Sequence, residues 1–266
     1  MSKDLRIAVI GRGLIGGSLE KAARRAGYDV AIFPGRGDHT SLAGYGLIFI
    51  AVPPASVVPI VNEIAPFLSD GATVVDIAGV KTPICRDLHQ LIFEKRWNFV
   101  GGHPMAGKEK TGYAQATETL FDGASMILTP FPSYGRDVLD RLEVVLRDMG
   151  FARIVYTNPQ HHDEMIAFTS QLCHLISSAY VRDQHVREHV GYSAGSFRDM
   201  VRVGAPDPDI WTDLFFSNRD ALLPVLTDYI KRLESFQKAL ETGDREQMHR
   251  DLEEGVRAKK TLDERI

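Results

Sequence analysis

The segment RIAVIGRGLIGGS, from Arg6 to Ser18, joins a β-branched run to a glycine-rich turn and then to an apolar helix. Gly11, Gly13 and Gly16 stand in G-x-G-x-x-G order directly after that run. Each glycine has its own physical reason. The first makes a tight turn, the second lets a pyrophosphate approach the backbone, and the third lets the helix pack close to the strand. The helix N-terminus then offers unpaired N–H groups to anionic oxygens. A unit of this kind needs neighbouring parallel strands and crossover helices, which restricts the fold to an open α/β sheet. Leu14 and Ile15 lie inside the motif, and Val52 and Pro53 follow the third strand. With the three glycines they are expected to line a dinucleotide cleft.

Short β-branched runs at 6–10, 30–33, 47–52, 73–77, 98–100, 125–128 and 153–156 read as strands. Segments 14–26, 55–68, 83–94 and 136–149 carry helical periodicity between them. After Tyr156 the strand signals stop, and Asn158-Pro159 marks a helix start. The pattern predicts a Rossmann-like, doubly wound and mostly parallel sheet followed by an all-helical C-terminal domain. The boundary falls between a dinucleotide-binding domain, 1–157, and a helical substrate-binding and dimerisation domain, 158–266. Within the latter, apolar residues at 222, 225, 226, 229, 230, 233 and 236 form a broad stripe. Periodicity leaves open whether that stripe packs within the chain or against a second subunit.

A formal charge of −4 and the lack of a basic cluster argue against nucleic acid and membrane surfaces as partners. No apolar run approaches a membrane span, and the N-terminus lacks the pattern of a signal peptide. Cys85 and Cys173 are far apart and show no metal-ligand spacing. A cytoplasmic protein with no metal is expected.

The end of the second strand chooses between cofactors. An acid there hydrogen-bonds the ribose 2′-hydroxyl of NAD, whereas an arginine accommodates the 2′-phosphate of NADP. This chain places Pro34, Gly35 and Arg36 at that point, which favours NADP over NAD. Two alternatives stay open: Arg36 as a solvated loop residue, and Asp38 reaching the ribose. Pro34, Gly35, Gly37, Gly44 and Gly46 leave little room for a crossover helix before the third strand, so the adenine side is expected to be trimmed.

In VGGHPMAGKEKTG, 100–112, His103 follows a strand and so belongs at the carboxyl edge of the sheet, where ligands bind. Gly101 and Gly102 are expected to turn the chain, and Pro104 to restrict His103. An imidazole there can accept a proton at neutral pH. A structural histidine at a strand end is the competing reading. His161, His162 and Asp163 are read as the start of a helix after Pro159 rather than as metal ligands.

GGHPMAGKEKTG, together with GRGLIGGS, DIAGVK at 76–81, HHDEMIAFTSQLCHL at 161–175 and GSFRDMVRVGAPDPDIWTDLF at 195–215, resembles the prephenate/arogenate dehydrogenase family. The resemblance covers most of the chain in order. It implies that His103 takes the proton of the substrate's ring hydroxyl and that Arg202 grips the ring carboxylate. His174 matches the second histidine of the family's H-x-x-H at the substrate pocket, and Gln171 replaces the first. Helical spacing puts Gln171, His174 and Ser178 on one face and Met165, Phe168, Leu172 and Leu175 on an apolar one. Gly79 stands beside the nicotinamide where relatives often carry serine. His103 would then rely on Lys108, Glu109 or water for orientation, and Lys108 and Glu109 are candidate substrate contacts, with a solvated charge run as the alternative. The implied reaction is oxidative decarboxylation of a cyclohexadienol with hydride transfer to NAD(P), in a homodimer built on the helical domain. A β-hydroxyacid dehydrogenase or imine reductase, or a non-catalytic nucleotide-binding paralogue, is the alternative reading. The first of these leaves HPMAG unexplained, and Gly79 gives the second some footing.

Overall fold

The computed structural model describes residues 4–93, 96–108, 110, 112–131 and 135–264. Among them lie β1 (Arg6–Ile10), β2 (Asp29–Phe33), β3 (Leu47–Ile50), β4 (Thr73–Asp76), β5 (Asn98–Pro104), β6 (Ser125–Pro130) and β7 (Arg153–Tyr156). They form one sheet in the order β2-β1-β3-β4-β5-β6-β7. Neighbours from β2 to β5 are parallel, β6 runs antiparallel to β5, and β7 is parallel to β6. The strand order reverses between β1 and β3, which opens a crevice beyond their carboxyl ends.

Side chains alternate across the strands and build two cores. Ile7, Val9, Phe49, Val75 and Val100 meet α1 (Leu14–Arg25) and, towards the far edge, α4 (Arg136–Asp148). Ile10, Ile48, Ile50, Val74 and Phe99 meet α2 (Pro54–Ile64) and α3 (Thr82–Phe93). With both faces covered, the central strands need no polar alternation, which is why β1, β3 and β4 read as nearly continuous apolar runs. Between β2 and β3 the chain forms only a 3₁₀ turn, Thr40–Leu42, so this crossover is short as expected.

β5 differs from expectation. It runs through His103 to Pro104, because β6 pairs with its second half, with His103 opposite Ile127. Gly101 and Gly102 therefore lie in a strand and make no turn. Their small size matters instead. A Cβ on Gly101 would collide with Thr129 Oγ1 and lie 3.0 Å from Lys81 Cδ, and one on Gly102 would sit 2.8 Å from Asp76 O.

After β7, Asn158 caps α5 (Pro159–Ile166), its side chain accepting from His161 N at 2.8 Å. A π-helical turn, Ala167–Gln171, leads into α6 (Leu172–Tyr180). α7 (Gly195–Val201) and α8 (Pro208–Ser217) follow, α8 capped by Asp207. The π turn rotates the register that regular helical spacing assumes. Met165 and Phe168 are exposed, whereas Gln171 is buried, which corrects the expected two faces.

By packing, the chain divides into Met1–Asn218 and Arg219–Ile266, whereas the sequence places its boundary at 157/158. Helices α5 to α8 pack with the sheet in this division. The second unit is a helical hairpin of α9 (Arg219–Thr242) and α10 (Arg245–Asp263), joined at Ser235, which donates to Asp251 at 2.6 Å. No described helix is long and apolar enough to cross a membrane.

Candidate active site

The turn between β1 and α1 tests whether a dinucleotide fits. Gly11 has φ +117°, and a Cβ there would collide with the carbonyl oxygen of Ala51. A Cβ on Gly16 would collide with the backbone of Gly11, so the helix could not approach the strand. Gly13 has open space over its Cα, and it starts α1 without a side-chain cap or an acid in the first turn. Free N–H groups, open space and no competing carboxylate are what a pyrophosphate requires. Leu14 is buried and Ile15 packs against the same core. Val52 approaches both glycine positions, 3.3 Å from a Cβ at Gly11 and 3.2 Å from one at Gly35, and Pro53 leads into α2. Arg36 is exposed at the tip of the following loop, while Asp38 accepts from Thr40 N at 2.8 Å and so shapes that loop.

Across the crevice, His103 points to the face shared by Gly101, Lys81 and α3. Its Nδ1 lies 2.9 Å from Nε2 of His162, and Nδ1 of His162 lies 2.7 Å from Oδ1 of Asp163. The partners settle the hydrogens. Asp163 also accepts from the backbone N–H groups of Lys81 and Thr82, at 2.8 Å each, so it is an ionised acceptor. It takes the Nδ1 hydrogen of His162, leaving His162 Nε2 as an acceptor. His103 then donates from Nδ1 and keeps an unprotonated Nε2. That nitrogen stands 3.8 Å from where a Gly79 Cβ would be. Burial works to raise the Asp163 carboxyl, but the hydrogen bonds from His162 and from Thr82 and Lys81 outweigh it and hold it below the usual range. Burial pushes His103 well below the ordinary imidazole value, with the nearby Lys81 ammonium adding to the effect.

The loop that carries Gly79 is fixed by a fully buried ion pair between Asp76 and Lys81, with Asp76 also accepting from Ala78 N at 3.0 Å. Burial raises the Asp76 carboxyl, and the Lys81 ammonium opposes that rise. Removing either partner would leave a buried charge uncompensated, at a cost of about 3–5 kcal/mol.

α8 roofs this region. Leu214 comes within 3.2 Å of a Cβ at Gly79, and Trp211 stacks on His174 with ring centroids 3.7 Å apart. His174 Nδ1 donates to Ser170 O at 3.0 Å, which leaves its Nε2 as an acceptor. Arg202 ends α7 with its side chain exposed. Gln171 is no substrate contact: its amide donates to Leu214 O at 3.2 Å and accepts from Asn218 at 2.7 Å, inside the fold. Lys108 is likewise engaged locally, donating to Gln115 O at 2.9 Å. It braces a loop that Tyr113 and Thr117 tie to α1 through Glu20 and Ser18. Neither Lys108 nor water is needed to orient His103, because His162 and Asp163 do so. Glu109 lies outside the described residues.

The family model for the prephenate dehydrogenase nucleotide-binding domain matches residues 1–156, and that for the prephenate dehydrogenase dimerization domain matches 158–254. The chain belongs to the prephenate dehydrogenase family. A prephenate dehydrogenase of Bacillus subtilis is 27% identical over 92% of this chain and 72% of its own length. A cyclohexadienyl dehydrogenase of Zymomonas mobilis is 28% identical over 96% of this chain and 95% of its own. The crystal structure of Synechocystis arogenate dehydrogenase superposes with a TM-score of 0.82 at 29% identity, covering 97% of this chain and all of that one.

In this prephenate dehydrogenase family member, sequence reasoning missed His162, Asp163, Lys81 and Trp211 as parts of the candidate site. The signal for the first two was visible: a histidine followed by an acid, at the start of a helix that follows the last strand. What spacing could not show is that α5 returns over β5, which brings together residues 59 positions apart.

Proposed function

We propose that the chain catalyses the oxidative decarboxylation of prephenate or arogenate, giving 4-hydroxyphenylpyruvate or tyrosine. The observation that carries this reading is the unprotonated Nε2 of His103, held beside Gly79 by His162 and Asp163. NAD(P), when bound by the glycine turn, supplies the hydride acceptor. His103 accepts the proton of the ring hydroxyl as the carbinol carbon gives up hydride. Arg202 offers a planar fork to the ring carboxylate, whose departure as carbon dioxide makes the ring aromatic. His174, backed by Trp211, borders the same substrate. The family name, the sheet and the relatives' reactions agree with a dehydrogenase; NADP rather than NAD is our reading of Arg36.

The domain assignment of 1–157 to the dinucleotide and 158–266 to substrate and self-association belongs to the same proposal. Leu223, Ile230 and Leu233 on α9 and Leu252 and Val256 on α10 are each at least 45% exposed in the hairpin, which favours a homodimer. The deciding experiment incubates purified protein with prephenate or arogenate and NAD⁺ or NADP⁺. Reduced nicotinamide is expected from at least one combination, and none from all four would refute the reading.

Two further results follow. Because burial disfavours protonated His103, the base stays neutral under mildly acid conditions. The acid limb of kcat/KM should therefore fall well below the ordinary imidazole range near 6.5, with activity level above it. A half-maximal point at or above that value would contradict a buried neutral base. Arg202→Ala should raise the KM for substrate by about 10–100-fold through loss of a charge-assisted contact, with little change in the Kd of NADP⁺. An unchanged KM would move the carboxylate site elsewhere.

A further inference from the structure

The loop after β2 is anchored by a buried histidine that the reaction does not use. His39 is fully buried, and each of its ring nitrogens faces an acceptor. Nε2 lies 3.0 Å from the carbonyl oxygen of Pro34, and Nδ1 lies 2.9 Å from Oε1 of Glu63 on α2. A carbonyl can only accept, so Nε2 must donate. Nδ1 must then also share a hydrogen with the carboxylate, since a bare lone pair there would face another. His39 and Glu63 therefore hold one proton more than a neutral imidazole beside an ionised carboxylate would.

These two bonds close the five-residue interval from Pro34 to His39 and fasten it to α2. Phe33 supports the same ring edge-on, with centroids 6.3 Å apart. Asp38 turns the chain by accepting from Thr40 N. Arg36 stands at the tip of the closed loop, exposed, next to Gly35, whose backbone approaches Val52 and so the glycine turn. A guanidinium binds phosphate through a fixed fork, and its benefit depends on where the backbone puts it.

We infer that His39 and Glu63 are positioning residues for cofactor choice: they clamp the loop that presents Arg36 to a 2′-phosphate. The inference rests on the reading of Arg36 as the NADP-selecting residue. The clamp has a polarity that can be tested. Glu63→Ala removes the acceptor of Nδ1. Glu63→Gln preserves both bonds by a different route, because the new amide N–H donates to the Nδ1 lone pair of a neutral His39.

Direct titration of NADP⁺ and NAD⁺ binding by intrinsic fluorescence, without substrate, separates the outcomes. Glu63→Ala is expected to weaken NADP⁺ by about tenfold and NAD⁺ by less than about twofold, in line with a mispositioned charge-assisted contact. Glu63→Gln, which keeps both bonds, should bind NADP⁺ within about twofold of the native protein. If Arg36→Ala leaves the NADP⁺/NAD⁺ ratio unchanged, the reading of Arg36 fails, and the clamp with it. If Arg36→Ala lowers the ratio but Glu63→Ala does not, the clamp alone is refuted. Glu63→Gln binding NADP⁺ as weakly as Glu63→Ala would also overturn it.

Discussion

His103→Asn is expected to lower kcat by about 10²–10⁴-fold, the range for loss of a positioned general base. Asparagine keeps a side chain of similar reach and can still meet His162, yet it cannot hold the substrate proton. The dinucleotide contacts proposed above come from the β1–α1 turn and the loops after β2 and β3, so the Kd for NADP⁺ should stay within about threefold. Steady-state kinetics with a parallel cofactor titration checks both halves. Turnover at the native level would remove His103 from the reaction, whatever its position in the fold.

The second large effect is expected at His162. Phenylalanine there preserves ring volume in a fully buried site but gives His103 Nδ1–H no acceptor. The imidazole is then free to place its hydrogen on Nε2, the nitrogen that must accept one. A drop in kcat of about 10–10³-fold is expected, below that for losing the base, because a fraction of molecules keeps the productive tautomer. A purely structural role would not alter the pH profile. Because the imidazolium of His103 would lose the partner of its Nδ1 hydrogen and meet an apolar ring instead, His162→Phe should move the acid limb of kcat/KM further downward, away from the ordinary imidazole range. An unchanged limb together with unchanged kcat would show that the His162–Asp163 pair has no part in catalysis. Asp163→Asn is a less discriminating variant. It also disturbs the N-terminus of α3, where Lys81 and Thr82 donate to the carboxylate.

Much of the sheet was legible because its signals are local. Continuous apolar runs bounded by glycine and proline identify strands buried on both faces, and all seven runs lie where strands form. The three motif glycines could be assigned separate duties because each duty is a backbone constraint within a few residues. The collisions that a Cβ would meet at Gly11 and Gly16 bear that logic out for the first and the third. The reach of β5 was not legible. Whether Gly101 and Gly102 turn or extend depends on β6 arriving antiparallel beside them, and a residue pair says nothing of its future neighbour. The helix after Pro159 misled for a related reason. One π turn rotates everything beyond it, so Gln171 faces Asn218 and Leu214 inside the fold rather than the substrate side.

The sequence by itself determined the glycine turn, the strand-helix alternation and the arginine after β2, because each is written in residues close together along the chain. Only the tertiary structure decided which side chains hold His103, the proposed base, in one tautomer. Hydrogen-bond direction depends on partners converging within about 3 Å, and Asp163, His162 and His103 converge only after α5 has folded back over β5. The same holds for His39, whose two acceptors come from its own loop and from α2.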